Sequence, residues 1–339
     1  MKKPFGVLPD GRQATLYTIK NNALTATLTD FGATLVSLWV PDREGNKADV
    51  VLGHDSVTEY VDDPTCMGAT VGRNANRTSG AAFVLNGKTY HLTPNEHGVN
   101  NNHSLPDGYN QRLWQTEMHT ESSITFLLES PHLDQGFPGN ATVRVTYALE
   151  APAVLSITYE AISDRDTVMN LTHHSFFNLG GHQNPERAMA QELTLPARTF
   201  AFADGYNIPT GEMRSVADTP MDFRIPKPIG QDIGKDHESL LLQKGYDHAF
   251  EVFTSPCAIL RDPVSGRTMA VETDCPCIQL YAGNYLDNEP GKGGVTYPVR
   301  SGICLETQFY PDAFHNPQWK QPVIKAGVPF RSRTKYKFN

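Results

Sequence analysis

The residues best placed to do chemistry sit where polar groups break into apolar, strand-like runs. Glu306 is the clearest case. It lies in SGICLETQFYPDAFH (Ser301–His315), after the short apolar run Ser301–Leu305 and before a turn at Phe309-Tyr310-Pro311-Asp312. A carboxylate inside an apolar strand is costly to bury unless it has partners or a task; an outward-facing surface Glu is the plainer alternative. Four other clusters interrupt the chain in the same manner. GRNANR (Gly72–Arg77) offers two Arg and two Asn, Asn76 and Arg77 among them, as donors for an oxygen-rich ligand or as a solvated loop. Gly98–Gly108 brings an Asn run up to His103, which suits hydroxyl recognition and equally a plain turn. Leu171–Gly181 carries His173 beside His174, and Lys244–Phe250 carries Asp247 beside His248. Neighbours on an extended segment point to opposite faces, so at most one of each pair normally faces a given pocket. No cluster contains a P-loop, a Rossmann fingerprint or the G-x-S-x-G of a hydrolase elbow.

The elements that must position these residues are strands. Ala23–Asp30 alternates Leu24, Ala26 and Leu28 with threonines, and Phe31-Gly32 turns the chain into Ala33–Val40. Asn86-Gly87 between Ala82–Leu85 and Thr89–Leu92 is a two-residue hairpin signal. Further strands are expected at Ser123–Glu129, Ala141–Leu149, Val154–Ala161, Gln191–Leu195, His248–Phe253, Cys257–Arg261, Thr268–Glu272, Cys277–Leu286 and Arg333–Phe338, with a second hairpin turn at Asp262–Gly266. Short strands punctuated by 27 Gly and 24 Pro predict an all-β sandwich rather than a βαβ fold. No linker, charge block or repeat marks a boundary, so residues 1–339 are expected to form one domain of two packed sheets. The polar connections Asn74–Ser79 and Asn95–Gln111 are expected to rim one end or face, where sandwich sites are commonly found.

Composition excludes several functions. A net charge of −8 argues against nucleic acid or an anionic membrane as partner. No apolar run approaches the roughly 18 residues of a spanning helix. The start, MKKPFGVLPDGRQ, lacks the apolar core of a signal peptide, so a cytoplasmic location is expected. Five scattered cysteines make a poor disulfide framework, and Cys275-Pro-Cys277 lacks the second pair of a zinc site. No metal is expected.

Taken together, the clusters resemble the aldose 1-epimerase (galactose mutarotase) family. The resemblance runs in order through Ala75-Asn76-Arg77, GVNNNH (Gly98–His103), DQGFPGN (Asp134–Asn140), HSFFNLGG, GYDHAF, IQLYAGNYL (Ile278–Leu286) and CLETQFYPDA, and covers most of the chain. It implies a large antiparallel sandwich of the galactose mutarotase type. It also implies an epimerase without cofactor or metal, acting on a free aldose and occurring as a monomer or weak homodimer. By resemblance, Glu306 is the general base and His174, directly before Ser175, the general acid. Asn76, Arg77, His103, Asp247 and Gln279 would hold sugar hydroxyls, and Phe176 would lie against the ring. His173 and His248 have no such role.

Three departures from the family pattern carry expectations. The usual Leu-His-Gly-Gly is Asn102-His103-Ser104-Leu105, whose bulk is expected to narrow or reshape the pocket. The usual Tyr of HSYFN is Phe176, and the usual YTGN is Tyr281-Ala282-Gly283-Asn284. None removes a proton-transfer group, so catalysis is expected to survive while specificity moves. Interconversion of galactose or glucose anomers is the leading reading. The alternatives are epimerisation of a modified or uncommon hexose and a sugar-binding protein without turnover. A phosphorylated substrate would call on Arg73 and Arg77, and a glycoside hydrolase would need a second carboxylate such as Asp247 beside Glu306.

Overall fold

In the computed structural model, which describes residues 1–61 and 63–339, alternation along the strands becomes two facing antiparallel sheets. Ala141–Glu150 shows the cause: every second side chain is buried, so one face of the strand belongs to the core. It sits in a nine-stranded sheet ordered Gln115–His119, Ser123–Ser130, Ala141–Glu150, Val154–Ser163, Phe330–Phe338, Thr268–Thr273, Ala258–Arg261, Glu192–Thr194 and Lys227–Pro228. Opposite lies a six-stranded sheet ordered Phe176–Phe177, Ile303–Gln308, Cys277–Tyr281, Asp247–Glu251, Thr199–Ala203 and Pro209–Ser215. Phe177 of one sheet meets Tyr336 of the other at 5.1 Å between ring centroids, within the main apolar core. A five-stranded meander from Lys2–Val7 to Lys47–Asp49 packs on the same core through Ile19, Leu24, Leu28 and Leu35. The six residues Glu238–Gln243 form the one α-helix among the described residues. This is the all-β sandwich expected from the sequence.

The two hairpins form where their turn residues stand. Asn86 and Gly87 both have positive φ (52° and 76°), as a turn matched to strand twist requires. Asp262–Gly266 joins Ala258–Arg261 to Thr268–Thr273. Elsewhere the boundaries move. The strand expected over Ser301–Leu305 runs over Ile303–Gln308, because pairing with Cys277–Tyr281 continues to Gln308↔Cys277 and carries Glu306 into the sheet. The strand expected to reach Leu286 stops at Tyr281, ahead of the turn made by Gly283 at φ 65°. Lys2–Val7, Gln13–Lys20, Thr199–Ala203 and Pro209–Ser215 are strands that the sequence pattern did not reveal, the first and last of them at sheet edges.

Behind the loop that carries Asn76 and Arg77, Arg73 is fully buried. Its Nε donates to Tyr109 Oη, Nη1 to the carbonyls of Pro138 and Gly139 and to Thr167 Oγ1, and Nη2 to Ser130. Replacing it with Met strands several buried acceptors, each costing about 1–3 kcal/mol when left unpaired. Arg73→Met is therefore expected to destabilise the fold by roughly 2–4 kcal/mol. Urea unfolding checks this, and a loss below about 1 kcal/mol would mean that water replaces the guanidinium.

Candidate active site

The site is built by register. Along the six-stranded sheet, Phe176, Cys304, Tyr281 and Asp247 fall in one cross-strand row, and Glu306, Gln279 and Ala249 in the next. Ile303, Leu305, Ile278, Leu280 and Phe250 alternate with them and enter the main core. The parity of the pleat thus sends Glu306, Gln279, Tyr281 and Asp247 to the face away from the opposing sheet. Over that face, Arg77–Thr78 pairs with Asn101–Asn102, which brings together the two polar connections singled out in the sequence. Between them and the sheet lies a cavity of about 450 Å³, lined by Asn76, Arg77, His103, His174, Phe176, Asp247 and Glu306 among others.

Glu306 is 2% exposed, and its Oε1 stands 3.7 Å from His174 Nε2, too far for a direct hydrogen bond. Its Oε2 has no hydrogen-bond partner in the protein. Burial, reinforced by the charge of Asp247 and opposed by Arg77, pushes the Glu306 carboxyl well above the usual carboxylate range. Burial also holds the His174 imidazole down at about 4. Both shifts favour an uncharged pair, with one proton held by Glu306 and none extra on His174. Such a pair accepts a proton at one end and donates at the other.

His103 accepts the Asn76 N–H at Nδ1 (3.1 Å), which leaves Nε2 carrying the ring proton as a fixed donor. Burial, together with the nearby His174 and Arg77, keeps it far below its ordinary value and hence neutral. His103, His174 and Glu306 place ligand-type atoms within 4.8 Å of one another, the makings of a metal triad. A protonated Nε2 offers a hydrogen rather than a lone pair, so the set suits a hydroxyl-bearing ligand better than a cation. Asp247 is held from two sides: Gln279 Nε2 donates to Oδ1 at 2.7 Å and Asn207 Nδ2 to Oδ2 at 2.5 Å, with Arg77 Nη1 3.8 Å away. Phe176 lies 5.2 Å from the His174 ring and 5.8 Å from Tyr281, an apolar wall beside the polar groups.

A profile of the aldose 1-epimerase family matches residues 15–337. The chain belongs to that family. It is 35% identical over 346 residues to the aldose 1-epimerase of Escherichia coli K12, covering 97% of this chain and 96% of the relative. It is 36% identical to the galactose mutarotase of Bos taurus, over 99% and 97% of the two chains. Among solved structures, an aldose epimerase homologue from C. elegans superposes with a TM-score of 0.89 at 33% identity, covering 96% of this chain and 98% of that one. The galactose 1-epimerase of Lactobacillus acidophilus gives 0.87 at 25% identity, over 100% and 98%.

Seven of the eight residues that the family resemblance singles out line the cavity; Gln279 does not. It stands behind Asp247, with its amide donating to that carboxylate and its Oε1 without a partner in the protein. Ser104 and Leu105, expected to narrow or reshape the pocket, do not line the cavity. Ser104 Oγ turns back onto the backbone of Asn74, and Leu105 packs on Cys66, Val71 and Ala75, leaving the cavity wall to Asn102 and His103. The left-handed φ at His103 and Ser104 (57° and 58°), where the family uses glycine after the His, is held by these bonds. Arg73 sits in its own network outside the cavity, which removes it as an anion ligand. His173 is buried against Ser175 and Tyr147, and His248 against Phe200, each facing away from the site as alternation requires. Sequence reasoning missed Asn207, Glu96, Tyr206 and Tyr285, which also line the cavity. The polar turn Asp204–Asn207 between apolar segments was a signal for the first; Glu96 lay unremarked in the loop that yielded His103.

Proposed function

We propose that this chain interconverts the α and β anomers of a free hexose, D-galactose or D-glucose in the simplest case. The observation that carries the reading is the buried Glu306–His174 pair, 3.7 Å apart at the floor of a cavity rimmed by hydroxyl-binding groups. Glu306, as carboxylate, takes the proton of the C1 hydroxyl while His174, as imidazolium, delivers one to the ring oxygen. The C1–O5 bond breaks and C1 becomes an aldehyde. The pair is now uncharged, the state that burial favours. Rotation about C1–C2 presents the other face, O5 attacks, His174 retakes its proton from O5 and Glu306 returns one to O1. Electrons and protons balance within sugar and pair. Asn76, Arg77, His103 and Asp247 hold the remaining hydroxyls, Phe176 supports the ring, and Gln279 orients Asp247.

Supporting the wider reading, the main core draws on residues from Tyr17 to Phe338, as one domain would. The five cysteines are buried and unpaired, which suits a reducing compartment such as the cytoplasm. No helix among the described residues is long and apolar enough to cross a membrane.

Polarimetry of freshly dissolved α-D-galactose and α-D-glucose tests the proposal. Both rotations are expected to relax faster with enzyme, and the two rates should differ moderately, since one changed hydroxyl contact costs about 1–3 kcal/mol. Unaltered relaxation of both sugars would overturn the assignment.

A further inference from the structure

Among the described residues, Arg77 is the one cation deep in the cavity, and it is already engaged. Glu96 receives it bidentately, from Nε at 2.9 and 3.1 Å and from Nη2 at 2.9 Å, which leaves Nη1 between Asp247 and the open cavity. Burial works against the guanidinium charge, but Asp247 and Glu96 more than offset it and hold its pKa above the ordinary range. The remaining charged lining is Lys244, whose ammonium lies over the Tyr285 ring, and the carboxylates Glu289, Asp247 and Glu306. The Glu96 side chain is not what holds its loop together. The backbone groups of Glu96 and Asn100 bond to each other, and Asn95 bonds to Asn102 through its amide in both directions. The carboxylate is therefore free to serve the cavity.

We propose that Glu96 is a positioning and specificity-determining residue: it aims Arg77 Nη1 at the sugar and, by cancelling the guanidinium charge, confines the site to uncharged aldoses while turning away those that carry a phosphate or carboxylate. This rests on the anomer-exchange reading. A planar guanidinium gripped along one edge presents its other edge in a fixed direction, which favours hydroxyl oxygens of defined geometry. A bidentate carboxylate also supplies the counter-charge that an anionic ligand would otherwise provide.

The test compares wild type with Glu96→Gln and Glu96→Asp by D-galactose polarimetry, with D-galacturonate and D-galactose 6-phosphate as competitors. Glu96→Gln is expected to raise KM about tenfold, the value of one oriented charge-assisted bond, with little change in kcat. It should also tighten inhibition by both anions about tenfold. Glu96→Asp keeps the charge but withdraws the carboxylate, so KM rises while anion inhibition stays weak; it carries the test should the Gln variant not fold. On an Arg77→Met background, Glu96→Gln should add nothing. Unchanged KM and anion inhibition in Glu96→Gln, or a fall in kcat alone, would overturn the assignment. Wild type inactive on every aldose would instead bring down the anomer-exchange reading first.

Discussion

Glu306→Gln is expected to lower kcat by roughly 10²–10⁴-fold, the usual contribution of a positioned general base, while sugar affinity changes little. The amide fills the same buried volume and can still hydrogen-bond, but it cannot accept the C1 hydroxyl proton. Because Oε2 is unpaired in the protein, the substitution breaks no existing bond and the fold is retained. Polarimetry gives kcat and titration calorimetry the affinity; a rate within a few-fold of wild type would remove Glu306 from the mechanism. The pH profile offers a second check. The productive pair holds one proton, so activity falls where a second is added and where the last is lost. Burial sets the first limb near the about 4 of His174 and moves the second well above the ordinary carboxylate range, so kcat/KM should hold a plateau above about pH 4 that extends beyond the range where an ordinary carboxylate titrates.

The adjacent histidines should separate cleanly. His174→Asn is expected to cost about 10²–10⁴-fold in kcat with modest loss of stability, because the ring faces the cavity and makes few structural bonds. His173→Asn should leave kcat within a few-fold but destabilise the fold by about 1–3 kcal/mol, since its Nε2 bonds Ser175 Oγ at 2.7 Å deep in the core. Burial lowers the His173 pKa to about 3, beneath the roughly 6.5 of an unfolded His. The folded chain then binds fewer protons than the unfolded one between those values. Its contribution to stability is complete above about pH 6.5 and is lost as pH falls toward 3. His173→Asn should remove that part of the acid sensitivity. Swapped effects of the two variants on kcat and stability would mean that the rings face the other way.

The sequence alone was enough to place this chain among all-β sandwiches. Alternation with a period of two, as in Ala141–Glu150, is a property of the local chain, and so are the turns at Asn86-Gly87 and Asp262–Gly266. It also carried the ordered motifs of the family; strand parity, local as well, sets His173 apart from His174 and Asp247 from His248, and the family resemblance singled out His174 and Asp247. Only the tertiary structure decided what surrounds those residues. The apolar run before Glu306 says nothing about the neighbour that carries pairing on to Gln308, and hence nothing about the burial that shifts Glu306 and His174. The bond from the Gln279 amide to Asp247 was hidden for the same reason, since the two lie 32 positions apart along the chain. Ser104 and Leu105 look obstructive in sequence, yet their side chains turn into contacts with Asn74 and Val71. Pleat direction and turn chemistry act between adjacent residues, whereas burial, charge and hydrogen-bond ownership depend on which distant strands become neighbours.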